Sequence, residues 1–64
     1  MLTATYVTGA YGRKYKTLED ARNDWKAGKD FKIWDGPYCS ATDFIALDSV
    51  YLLDVSGKNL GKLN

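Results

Sequence analysis

The sequence predicts a small α+β domain, with one main helix packed on a three- to four-stranded, mainly antiparallel sheet in β-α-β-β-β order. Three observations predict it. Leu18, Ala21 and Trp25 recur at helical spacing behind a Thr17-x-x-Asp20 pattern. Short runs rich in β-branched and aromatic residues lie on both sides of that stretch. Glycine-bearing turns separate the runs.

Leu2 to Thr8 is expected to be the first strand, with Leu2, Ala4 and Tyr6 alternating with Thr3, Thr5 and Val7. Gly9 and Gly12 bracket a turn that is able to take positive φ. Thr17 then caps the helix, and Glu19 and Asp20 sit at the positive end of its dipole. Lys26 and Lys29 flank the negative end, and Gly28 is placed as the left-handed terminator. About three turns long, such a helix persists only if Trp25 docks on a sheet.

Phe31 to Trp34 reads as the second strand, stopped by Asp35-Gly36-Pro37. Ser40-Ala41-Thr42-Asp43 is able to cap a short helical turn running through Phe44 to Leu47. Ser49 to Val55 is the third strand and the most apolar. Ser56-Gly57-Lys58-Asn59 makes a hairpin turn, after which Leu60 to Leu63 pairs back as a short fourth strand.

Length and composition bound the possibilities. The 64 residues read as one domain, 1–64, near the lower limit for a core without disulfide or metal. A 45% hydrophobic and 14% aromatic content marks a folding chain, because aromatics supply much buried area per residue. The net charge of +1 indicates neither a basic nucleic-acid coat nor an acidic DNA mimic. Residues 1–34 hold seven of the nine basic side chains, so an anion-binding face is expected there.

A single cysteine allows no intrachain disulfide and suits a reducing cytoplasm. The N-terminus shows no signal-peptide pattern, and no run approaches the roughly 20 apolar residues of a membrane span. A cytoplasmic protein without membrane attachment is expected.

The residues leave little for catalysis. With no histidine, the usual general base and the Ser/His and Cys/His pairs are missing. Cys39 is read as a small, buried or half-buried side chain rather than a nucleophile. Asp30 and Asp35 flank a strand, where turn-capping is the ordinary role. No ligand set for zinc or calcium is present, so no cofactor, no metal and no enzymatic activity are expected.

Two surfaces are candidates for binding. The turn Tyr11-Gly12-Arg13-Lys14-Tyr15-Lys16 interleaves three cations with two rings, a pattern able to hold phosphates and stack on bases. Its plainer reading is a solvated turn whose tyrosines close the edge of the core. The second candidate is the set Trp34, Pro37, Tyr38 and Phe44 around the Asp35-Gly36 turn. If Phe31 and Ile33 lie under the helix, alternation leaves Trp34 on the other face beside Tyr51 or Leu53. That face is either an open, adhesive patch or is covered by the Ser40–Leu47 segment.

The pattern Tyr11-Gly-Arg13-x-Tyr15, Asp24-Trp25-x-Ala-x-Lys29-Asp30-Phe31-x-Ile33 and Gly36-x-Tyr38-x-Ser40-x-x-Asp43 resembles a group of small proteins encoded by bacteriophages and prophages. The resemblance spans about residues 9–45. It implies a phage origin, action in the cytoplasm of a host bacterium, and no catalytic residue. By analogy with accessory proteins that redirect host machinery, it favours a module that binds a host or phage protein. Trp34, Tyr38, Arg13 and Lys14 are the expected contact residues for that role. The alternative is a nucleic-acid-binding module using Tyr11, Arg13, Lys14, Tyr15 and Lys16. Self-association through the apolar patch is the third reading.

Overall fold

A computed structural model describes residues 4–9, 13–44 and 46–64. It contains the strands β1 (Ala4–Gly9), β2 (Asp30–Ile33), β3 (Tyr38–Ser40), β4 (Ser49–Leu53) and β5 (Asn59–Lys62). The helix α1 (Leu18–Lys26) follows β1, and a 3-10 turn, Ala41–Phe44, follows β3. The five strands form a single sheet in the order β3-β2-β1-β4-β5. The α+β class stands as the sequence predicts, with differences of detail.

The first difference is strand number. Tyr38–Ser40 is a strand that the sequence reading left out, because three residues behind a proline carry almost no periodic signal. It pairs antiparallel with β2, Phe31 opposite Cys39 and Lys32 opposite Tyr38. The Asp35-Gly36-Pro37 turn therefore closes a hairpin, with Asp35 itself at φ 57. The second difference is direction. β1 and β4 run parallel at the centre of the sheet, Tyr6 beside Tyr51 and Val7 beside Leu52, while the other three pairings are antiparallel. A parallel neighbour needs a long connection, and residues 10–48 provide it. The expected first strand begins at Leu2, but Leu2 and Thr3 lie outside the described residues.

The helix forms for the reasons read from its ends. Thr17 is extended (φ −137, ψ 159), and its hydroxyl accepts the Asp20 amide at 3.2 Å. At the other end Gly28 takes φ 75, its amide donating to the Trp25 carbonyl at 3.1 Å. Ala21 is fully buried; Leu18 and Trp25 lie against the core while remaining partly exposed. Trp25 sets its ring edge against Phe31 and stacks on Phe44, both at 5.5 Å between centroids. One indole thus ties helix, sheet and 3-10 turn together. Leu18 meets the sheet where β5 passes beneath it at Gly61. A Cβ at Gly61 would come within 2.7 Å of Leu18 Cδ2, and its φ of 131 independently requires glycine.

The core lies on the helix side of the sheet. Phe31, Leu52, Val7 and Val50 are its largest fully buried side chains, joined by Ala21, Ala41, Phe44 and Leu63. Strand alternation places these sheet residues on one face and Tyr6, Thr8, Lys32, Tyr51 and Leu53 on the other. The helical turn expected to run through Phe44 to Leu47 instead spans Ala41–Phe44, and at its start Ser40 Oγ accepts the Thr42 amide while Asp43 accepts the Ser40 amide at 3.0 Å. Its Ala41 and Phe44 join the core under the helix. Leu47 packs there too, and Trp34 stays 42% exposed, so the described residues of the 40–47 segment leave the Trp34 face open.

Candidate functional site

Both surfaces singled out from the sequence are used, but differently. In the basic turn, Tyr11 and Gly12 lie outside the described residues. Arg13 turns inward: Nη1 meets Asp24 Oδ2 at 3.3 Å, Nη2 donates to the Asp30 carbonyl, and the guanidinium lies 5.7 Å from the Phe31 ring centroid. Tyr15 joins it, its hydroxyl donating to the same Asp24 oxygen at 2.9 Å and its ring stacking 6.2 Å from Phe31. Burial, then the Asp24 hydrogen bond, push the Tyr15 phenol up to about 12. Arg13 and Tyr15 thus close the rim of the core over the end of β2. Lys14 and Lys16 remain exposed.

The close approach of this turn also explains Gly9. A Cβ there would sit 2.5 Å from the Arg13 carbonyl oxygen and 3.0 Å from the Tyr15 ring. The strand can end against the turn only because that position has no side chain.

The second surface is the face of the sheet opposite the helix. Trp34 donates its amide to the Tyr6 carbonyl at 2.9 Å, continuing the β1–β2 pairing by one residue and placing the two side by side. Tyr6 in turn stacks on Tyr51 at 5.6 Å between centroids. Tyr38 flanks Lys32 on the outer strand. The indole tip of Trp34 reaches toward the β4–β5 turn, where a Cβ at Gly57 would meet it at 3.6 Å. Among the described residues, the large apolar side chains that stay exposed, between 39% and 83%, are Tyr6, Trp34, Tyr38, Val55 and Leu60. Single exposed apolar residues are ordinary, but a contiguous set on one sheet face is a docking signature.

All of these exposed apolar residues but Tyr6 line a groove of about 570 Å³. Trp34 and Tyr38 form one wall, and Leu53, Val55 and Leu60 form the other. Thr8 and Lys32 lie between them, and Arg13 and Lys14 stand at the rim. Four of the residues named from the sequence as contacts (Trp34, Tyr38, Arg13 and Lys14) therefore line one depression, and Tyr15 touches it too. Lys16 does not line it.

The sequence reading missed Tyr6, Thr8, Lys32, Val55 and Leu60. The signal for the first three was available in principle: on β1 and β2 they alternate with the core residues Val7 and Phe31. Only the pairing of those strands shows that the alternate set shares a face.

Asp54, at the end of β4, accepts from the Ser56 hydroxyl at 2.6 Å and from the Ser56 and Lys58 amides at 2.9 Å. These bonds, the Ser56 hydroxyl first, hold its carboxyl below the usual carboxylate range. They fix the turn that carries Val55 to the groove wall. Cys39 is half-buried against the core, opposite Phe31. Among the described residues no three His, Cys, Asp or Glu side chains converge as a metal site. No described helix is long and apolar enough to cross a membrane. No family model, curated protein or solved structure matches the chain.

Proposed function

We propose that the protein is a small non-enzymatic interaction module, phage-encoded, that binds and modulates a host or phage protein complex in the bacterial cytoplasm. Its contact surface is the sheet face opposite the helix, centred on Trp34 and Tyr38. The observation that carries this reading is the division of apolar side chains between the two faces. One face is covered by α1 and the 3-10 turn and holds most of the core; the other keeps three rings (Tyr6, Trp34 and Tyr38) and two aliphatic side chains (Val55 and Leu60) exposed, all but Tyr6 lining an open groove. Keeping aromatics in water has no benefit for folding, whereas aromatic anchors carry most of the energy of protein interfaces.

The chemistry of the chain fits a binding role. It has no histidine, and its single cysteine lies half-buried against the core. The nucleic-acid alternative depends on the basic turn, and two members of that turn, Arg13 and Tyr15, already hold Asp24 and flank Phe31.

The test is capture of partners from bacterial lysate by the protein and by Trp34→Ala, with and without nuclease and at two salt concentrations. The expected result is a nuclease-resistant protein partner lost with Trp34→Ala. Lys14→Ala combined with Lys16→Ala should leave the complex formed, since rim cations mainly tune association rate. Binding that disappears with nuclease, collapses as salt rises and fails in the double lysine variant would transfer the function to nucleic acid. Capture of the protein's own copies alone, with concentration-dependent mass, would make it a self-associating domain.

A further inference from the structure

The groove has two unlike halves, and their arrangement selects a partner. Across the sheet, Lys32 lies beside Thr8 by strand pairing, and the Val7–Leu52 pairing puts Leu53 beside Thr8 on its other side. Lys32 and Lys14 thus serve the β2 half, while Leu53, Val55 and Leu60 serve the β4–β5 half. Thr8, the smallest side chain of the set, forms the floor between them. The acidic residues that touch the groove are Asp35 and Asp54. The Asp54 carboxylate, kept ionised by its bonds to Ser56 and Lys58, lies at the β4–β5 end, and on the β2 side Lys14 and Lys32 stand against Asp35 of the β2–β3 turn alone. The β2 half therefore carries a surplus of positive charge beside an apolar half.

We infer that the groove takes a segment of a partner protein in which a large apolar side chain is followed or preceded at once by acidic residues. The apolar side chain seats between the Trp34 indole and the Val55–Leu60 wall, and the carboxylates meet Lys14 and Lys32. This inference rests on the reading of the open face as a protein-docking surface and adds the chemistry of its occupant. A nucleic-acid strand suits the groove less well. Phosphates require a track of cations along the backbone, and here one wall is aliphatic. An acidic segment with an apolar anchor uses both halves at once, and the charge sets its direction across the strands.

The experiment is a titration of the whole protein, followed by its amide and indole N–H chemical shifts. The probes are three short peptides with the same central tryptophan: one flanked by glutamates, one by serines and one by lysines. A fourth probe is oligothymidylate. At roughly millimolar peptide, even a Kd near 1 mM is visible. The expected result is saturable shifts at Thr8, Trp34, Leu53 and Leu60 with the glutamate peptide, and affinity at least about tenfold weaker for the lysine peptide. Lys14→Glu with Lys32→Glu should invert that order, and Thr8→Phe, which fills the floor, should abolish binding of all three peptides. Should the charge-reversed variant lose its dispersed spectrum, Lys14→Gln with Lys32→Gln replaces it and should remove the preference.

Equal binding of the three peptides would overturn the charge selection and leave the apolar docking surface standing. No shift at any groove residue with any peptide would overturn both. Shifts produced by oligothymidylate alone would overturn both in favour of nucleic acid.

Discussion

The two faces of this sheet are made from alternate residues of the same strands, yet they meet opposite fates. On β1 and β2, Val7 and Phe31 are fully buried beneath the helix, while their neighbours Tyr6 and Lys32 face away from it. The covered face satisfies the needs of folding. Its side chains interlock with Ala21, Trp25 and Phe44, and its edge is closed by Arg13 and Tyr15. The open face retains rings that a small domain would be expected to bury, since aromatic area is its main source of core density. The face a side chain occupies therefore separates most residues packed under the helix from those left in water, with Leu53, 9% exposed on the far face, as an exception.

The largest effect should come from the covered face. Phe31→Ala removes a ring in contact with Trp25, Tyr15 and the Arg13 guanidinium, and should cost about 3–5 kcal/mol. Trp25→Ala should cost about 3 kcal/mol, somewhat less because the indole is only partly buried. Either loss is a large part of the total stability of a domain this small. Trp34→Ala, by contrast, should change stability by less than about 1 kcal/mol while removing partner binding. Urea melts of the three variants decide the matter. If Trp34→Ala proved as damaging to folding as Trp25→Ala, the open face would be part of the core and its assignment to docking would fall.

The next effect tests which face the basic turn belongs to. Asp24→Ala leaves the Arg13 guanidinium and the Tyr15 hydroxyl without the carboxylate they share. The expected loss is roughly 1–2 kcal/mol, above the value of an exposed pair because the three groups are half-buried together. Asp24→Asn should recover part of it. A variant as stable as the parent would return Arg13 to the set of side chains available for binding.

A smaller effect appears at high pH. The folded Tyr15 phenol is held up to about 12, against 10 for the ordinary group, so the folded state keeps its proton after the unfolded chain has lost it. Its contribution is complete below pH 10, shrinks as pH rises toward 12, and is lost above that. Ultraviolet titration should show a tyrosine that ionises late, near 12, and that is absent in Tyr15→Phe. The melting temperature of the parent should also fall more steeply over this range than that of the variant. A high-pH titration left unchanged by Tyr15→Phe would refute the Asp24 contact.

Much of the covered face was legible in the sequence, because it is written in local periodicity. The Thr17 cap, the Leu18–Ala21–Trp25 stripe and Gly28 each announce themselves within a few residues. Trp34 was also legible as a residue on the far face, since alternation from Phe31 requires only one strand. The assembly of the groove was not. Thr8 comes from β1, Lys32 from β2 and Trp34 from the residue just past it, and Leu53 and Leu60 come from β4 and β5. What joins them is strand order, above all the parallel β1–β4 pairing, and no local pattern encodes it. Arg13 was misleading for a related reason: as a cation in a glycine-flanked turn it reads as solvated, and its partners Asp24 and Asp30 are brought to it only by the fold.

The smallest expected effect tests whether the groove wall is built independently of the core. Asp54 holds the β4–β5 turn through three hydrogen bonds to its Oδ1, and this holds its carboxyl below the ordinary value of 3.8. The sign follows directly: the unfolded chain takes up the proton first as pH falls, so this contribution is present above the ordinary value and is lost as pH drops through the folded one. Because all three bonds lie within the turn itself, the change should be confined to the turn. In acid, the amides of Ser56 and Lys58 should lose hydrogen-exchange protection, and Val55 should shift its groove contacts, while Val7, Phe31 and Val50 keep theirs. Asp54→Asn should show the loosened turn already at neutral pH. Loss of protection at Ser56 and Phe31 in step would mean that turn and core open as one unit, and that the two faces are not energetically separate.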